Sequence, residues 1–176
     1  KRQNRELCYV SYLDWIPSKR EALSKYWSQL HLAVDKVGLE LEEFAHECLM
    51  NIGNATEGSI KPYSNELLQQ IRIFQGIPVT FDEIDSMDFG KVIDELIKFS
   101  YPSSFFVFEN VRLNQWRNIA QHLSIIFKDE LIVCTYGRPE NRKEITLSGE
   151  ALYAVTQKVF MTLRCLKLAS TIFGID

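Results

Sequence analysis

Arg117, Asn118 and His122 stand within six positions of one another and bring together a permanent cation, an amide and an imidazole. Guanidinium stays charged in proteins, and imidazole is the side chain whose ordinary proton exchange falls near neutral pH. Set at 100° per residue with Trp116 as origin, Ile119, Ala120, Leu123, Ile126 and Phe127 gather on the Trp116 side of a helix. Arg117, Asn118, Gln121 and His122 gather opposite. Asn118 and His122 are four apart, one helical turn above each other, and close enough to hydrogen-bond. Arg117 lies about 140° from His122 by the same geometry, but its long side chain can swing towards it. One arc thus carries a fixed positive charge, an amide and a group able to exchange a proton near neutral pH. Ile125 falls in the middle of this polar arc, where a solvated face would favour Lys or Glu. That position predicts a covered face, with Ile125 and Gln121 packed against another element or a second copy.

Other groupings carry less. Glu43 and His46 have the E-x-x-H spacing of a bundle di-iron ligand pair, but no second copy of the motif exists. A surface pair is the simpler account. His46-Glu47-Cys48 is too small a set for zinc, and His31 is isolated. No phosphate-binding glycine loop, H-E-x-x-H or G-x-S-x-G pattern is present, so neither a metal nor a cofactor is expected. Arg138, Arg142 and Lys143 fit phosphate contacts from a turn and fit an ordinary solvated turn equally well. Tyr136 is placed to stack on a base, whereas Trp116 belongs to the apolar side and the core. Lys158, Arg164 and Lys167 read as the wet face of the last helix.

The elements that must position these residues are helical almost throughout. Apolar residues at Val34, Val37, Leu41, Phe44, Cys48 and Leu49 recur at helical spacing within Lys19 to Met50. Asn51, Gly53, Asn54 and Gly58 then predict a loop. Leu67, Leu68, Ile71 and Phe74 mark a further helix, stopped at Gly76-Ile77-Pro78. Thr80 and Glu83 have capping-box spacing for the next, whose stripe is Val92, Ile93, Leu96 and Ile97 and whose end is Ser100-Tyr101-Pro102. The motif helix is predicted over Ser103 to Phe127. After it, Leu131–Tyr136 and Lys143–Thr146 read as two strands around a turn at Gly137–Asn141. Ser148 suits the N-cap of a final helix to Phe173. The expected fold is all-α, a bundle of four to five helices with a β-hairpin inserted before the last.

The 176 residues are one domain's worth of chain, 46% apolar and 24% charged, which excludes wholesale disorder. No run approaches a membrane span, and no apolar stretch follows Lys1, Arg2 and Arg5 as in a signal peptide. The chain starts with Lys, which fits a domain excised from a longer protein. Four scattered cysteines, Cys8, Cys48, Cys134 and Cys165, predict reduced, mostly buried thiols and a cytoplasmic setting. Net charge is −3, against an indiscriminate nucleic-acid coat. The charge is uneven: 9 Lys/Arg face 6 Asp/Glu from Arg112 onward, and 11 face 17 before it.

The stretch Trp116-Arg117-Asn118-Ile119-Ala120-Gln121-His122, an R-x4-H motif with Asn after the Arg, resembles the motif helix of the HEPN superfamily. That superfamily occurs in many prokaryotic toxins, antiphage proteins and CRISPR-associated ribonucleases. The resemblance covers about a dozen residues, and beyond them the helical bundle agrees only in class. It implies a metal-independent endoribonuclease, active as a homodimer with two motif helices sharing one composite site and leaving 2′,3′-cyclic phosphate ends. His122 would take the proton role, Arg117 the electrostatic role and Asn118 an orienting one. It also implies RNA as substrate and an antitoxin or regulatory domain as partner. Some members carry a modifiable Tyr two residues after the His; here Ser124 stands there, so adenylylation is not expected. The alternative is a non-catalytic helical module binding a partner protein or a nucleotide, which the acidic net charge favours.

Overall fold

The computed structural model describes residues 2–30, 38–99 and 102–173. Two amino-terminal helices, α1 (Arg2–Asp14) and α2 (Ile16–Leu30), lead to α3 (Leu41–Ala55) and α4 (Lys61–Phe74). Helix α1 packs on α4, and α3 packs on the long last helix. Short α5 (Phe81–Asp85) starts at the expected capping box. Thr80 Oγ1 accepts from Glu83 N–H at 3.3 Å, and the Glu83 carboxylate accepts from Thr80 N–H at 2.8 Å. Helix α6 (Phe89–Lys98) buries the predicted Val92, Ile93 and Leu96, with Ile97 partly buried. Val34, Val37, His31, Ser100 and Tyr101 lie outside the described residues.

The loop expected over Asn51 to Gly58 is absent. Helix α3 runs instead through a π-helical turn, Thr56–Ile60, straight into α4. Thr56, Ser59 and Ile60 are buried, and Ser59 Oγ donates to the Ala22 carbonyl at 3.0 Å, fastening the turn to α2. Pro62, the second residue of α4, lacks the N–H that a regular α-turn would need. Gly53 serves packing and not a break: a Cβ there would lie 3.1 Å from the Ala120 Cβ, a tight contact that the helices could accept only by moving slightly apart.

The motif helix is shorter than predicted. Residues Ser103–Phe105 form a 3-10 turn, and Val107–Phe108 (β1) pairs with Val111–Arg112 (β2) in a small hairpin. Its turn residues Glu109 and Asn110 both have positive φ, 51° and 60°, the sign a type I′ turn requires at both central positions. Helix α7 then spans only Leu113–His122 and ends at Leu123, which is left-handed with φ 45°. Ile125–Lys128 is a strand, β3, and not the last turn of a helix. It pairs with β4 (Leu131–Tyr136), which pairs with β5 (Lys143–Leu147), giving an antiparallel sheet of order β3-β4-β5. The predicted hairpin is thus present with an additional strand, β1 and β2 add a second small sheet, and the described helices outnumber the four to five expected.

Ile125 therefore sits on a strand and not on the polar arc of a helix, and of the two covers expected for it the chain itself supplies one. Its side chain alternates inward on β3 and packs against the core, while Ile126 faces out at 62% exposure. The sheet accounts for an apolar residue at 125 without a second copy. Ser148 caps α8 (Gly149–Phe173) as predicted, its Oγ accepting from Ala151 N–H at 3.2 Å. One core joins these parts, with Trp15, Leu49, Ile52, Leu68, Phe106, Trp116 and Leu163 among its buried members. All four cysteines are free, three of them buried. No described helix is long and apolar enough to cross a membrane.

Candidate functional site

Helix α7 is held from both ends and from below. Leu113 N–H donates to the Phe106 carbonyl at 2.8 Å, and Trp116 Nε1 donates to the Phe108 carbonyl at 3.1 Å. Arg112, just before the helix, pairs with Asp94 and donates to the Gly90 carbonyl at 3.2 Å. Leu113, Trp116, Ile119 and Ala120 form the buried face, as their helical spacing predicts. The polar residues are left on the outer surface of a helix that cannot easily rotate or slide.

Those polar residues face two ways. On one side Arg117 reaches the π turn, where Nε and Nη2 both lie 2.9 Å from Glu57 Oε2. Lys61 Nζ sits 3.3 Å from the other oxygen of Glu57, and Arg117 Nη1 donates to Asn118 Oδ1 at 3.1 Å. On the other side, Asn118 and His122 line a cleft of about 180 Å³ between α7 and the sheet. Gln115, Ser124, Thr135 and Arg142 share its walls. The turn from β4 to β5 closes it, with Gly137 N–H donating to Gln115 Oε1 at 3.3 Å. Gly137 has φ +96°, and a Cβ there would meet the Asn141 carbonyl oxygen at 2.5 Å, so glycine is required for this turn.

The single polar arc expected from the sequence is therefore divided. Asn118 Oδ1 accepts from Arg117, a charged donor, and no hydrogen bond joins Asn118 to His122. His122 is exposed and has no hydrogen bond among the described residues. Asn118 is the one residue common to both sides. Of the three turn cations, Arg142 joins the cleft, whereas Arg138 and Lys143 are exposed outside its lining. Gln121 is exposed beside His122. Trp116 is fully buried, and Tyr136 is partly buried on the cleft wall.

No family model, curated protein or solved structure matches this chain. The site therefore rests on its own geometry. Glu57 was not singled out from the sequence, and nothing there marks it: it lies sixty residues before Arg117 and meets it only through the packing of α3 on α7. Ser124 and Thr135 owe their places to β3, since Thr135 N–H donates to the Ser124 carbonyl at 2.8 Å.

Other reactive groups nearby are unsuited to the site. Burial pushes the Cys134 thiol up to about 11, so it stays protonated at neutral pH and is a poor nucleophile. Glu43 and His46 are exposed on α3, and the His46 ring meets Phe127 edge-on at 6.3 Å. Among the described residues no group of three or more His, Cys, Asp or Glu is placed to hold a metal ion.

Proposed function

We propose that this chain is a HEPN-type endoribonuclease domain that cuts RNA through Arg117, Asn118 and His122 without a metal cofactor. The observation that carries this reading is the R-x4-H motif on one short, firmly anchored helix, with His122 opening onto a polar cleft. In the reaction, the RNA 2′-hydroxyl loses its proton to a base and its oxygen bonds to the adjacent phosphorus. The bond from phosphorus to the 5′-oxygen breaks, and that oxygen takes a proton, leaving a 2′,3′-cyclic phosphate. An exposed imidazole can serve as base or acid in such a transfer, and a guanidinium can stabilise the crowded phosphorane-like charge. Arg117 and His122 point to different sides of α7, which agrees with a homodimer in which each copy supplies what the other's half-site lacks. A toxin or antiphage effector is the setting this reading implies.

Cleavage of labelled RNA in EDTA tests it, comparing wild type with Arg117→Ala and His122→Ala. Loss of at least a hundredfold in the His122 variant, with cyclic phosphate ends in the wild type, is expected from loss of an acid–base group. Equal cleavage by all three proteins overturns the assignment. A second reading, a binding module, draws on one feature: the Arg117 guanidinium is already engaged by Glu57 and Asn118. RNA bound but uncut by wild type would select it.

A further inference from the structure

We infer that the cleft between α7 and the β4–β5 turn is a phosphate site, with Arg142 as its cation and the same copy's Arg117 acting on it only through Asn118. The inference depends on the ribonuclease reading solely for the origin of the phosphate; the site itself follows from its walls.

None of the cleft-lining residues is a carboxylate, on a chain whose net charge is −3. Arg142 and His122 line the cleft together with Ser124, Thr135 and Asn118, residues whose side chains carry hydroxyls and an amide. That set is rich in donors and offers a metal cation little, whereas a tetrahedral oxyanion can accept from several of these groups at once. The position of Arg117 argues the same way. Its guanidinium is neutralised by Glu57, so an anion arriving there would have to displace a carboxylate held by both Arg117 and Lys61. Arg142 has no such partner among the described residues.

Arg117 still contributes at one remove. By donating to Asn118 Oδ1 it fixes the amide's acceptor end, which leaves the NH2 as the group Asn118 can offer the cleft. The C-terminus of a helix is ordinarily poor ground for an anion, because its last carbonyls point outward. Here the Ile119 carbonyl accepts from both Leu123 and Ser124 N–H, the latter at 3.2 Å, which covers part of that negative end. Glu57, Arg117 and Asn118 thus form a positioning chain, and Arg142 is the group that would touch the ligand.

Histidine ring NMR at fixed pH and ionic strength tests this, using inorganic phosphate as probe and His122→Ala to assign the signal. Phosphate should move the His122 resonances saturably and leave those of His46 in place. Arg142→Ala should weaken binding about tenfold or more, as expected for loss of a charged hydrogen bond, and Arg142→Lys should weaken it less. No saturable shift, or one of equal strength in Arg142→Ala, overturns the inference. Arg142 is exposed on a turn, so its variants should fold normally. RNA cleavage by the same proteins separates the two claims. Phosphate binding that needs Arg142 without any cleavage sinks the ribonuclease reading alone, and cleavage that needs His122 but is indifferent to Arg142→Ala sinks this site alone.

Discussion

Two ion pairs in this molecule have the same chemistry and opposite circumstances. Lys19 and Glu66 join α2 to α4 at 2.6 Å, with side chains only 10% and 3% exposed. Glu66 also accepts from Ser170 Oγ at 2.8 Å, and the Lys19 ammonium lies 3.5 Å from the centre of the Tyr12 ring. Arg117 and Glu57 meet at 2.9 Å on the outside of the bundle, 30% and 38% exposed. Burial pushes the Lys19 ammonium below its usual range, and the hydrogen bond and charge of Glu66 oppose that. A buried pair cannot be opened without stranding a charge away from water, whereas a half-exposed pair opens to water at little expense. The first pair belongs to the fold, and the second contributes little to it.

The comparison is broken most directly at Glu66. Glu66→Ala leaves Lys19 buried and unpaired, and thermal or urea unfolding should show a loss of about 3–5 kcal/mol. Replacing both partners together, Lys19→Met with Glu66→Leu, should restore most of that, because no charge is then stranded. A double variant as weak as the single one would mean that the hydrogen bonds to Ser170, and not the charges, hold this layer. Glu57→Gln is the matching change at the surface. It should alter stability by less than about 1 kcal/mol and, on the proposed ribonuclease reading, tighten RNA binding at low salt, since a negative charge beside Arg117 is gone. A stability loss comparable to that of Glu66→Ala would erase the distinction between the pairs.

The smallest effect sharpens the surface side of the contrast. Glu95 is held below its ordinary value of 4.5 by Lys98 first and Arg72 second, with burial opposing. Between 4.5 and the lower folded value the unfolded chain binds more protons, so this contribution is full above 4.5 and fades as pH falls through that window. Glu95→Gln should flatten the acid limb of the stability curve below about pH 4.5, and a pH series of melts reads it. An unchanged limb would mean that even this paired carboxylate contributes nothing measurable.

What the sequence made legible was local. The Thr80 capping box, the Ser148 cap, the burial of Trp116 and the pairing of β4 with β5 each follow from spacing within a few residues. The length of α7 was not legible, because Ile125, Ile126 and Phe127 satisfy a helical stripe almost as well as a strand. The apolar Ile125 on a polar arc was already the sign of period-two alternation, and Leu123 ends the helix in a conformation that side chains other than Gly and Asn rarely mark. Glycines were ambiguous in the same way. Gly53 was read as a break and is a point of helix contact, while Gly137 was read as a turn and is one. At the site, Arg117, Asn118 and His122 were visible as a set, but their division between Glu57 and the cleft depends on α3 and the sheet, which local spacing does not encode.

The π turn at Thr56–Ile60 makes residue number, apart from residue type, a structural variable. One residue fewer between α3 and α4 would restore an ordinary helix and turn everything after it by about 100°. Glu66 would leave Lys19, Gln69 would leave Trp15, and Glu57 would no longer be offered to Arg117. A three-nucleotide deletion in this stretch of the gene would thus disturb the interior and the outer site together, where most single-letter changes there would touch only one.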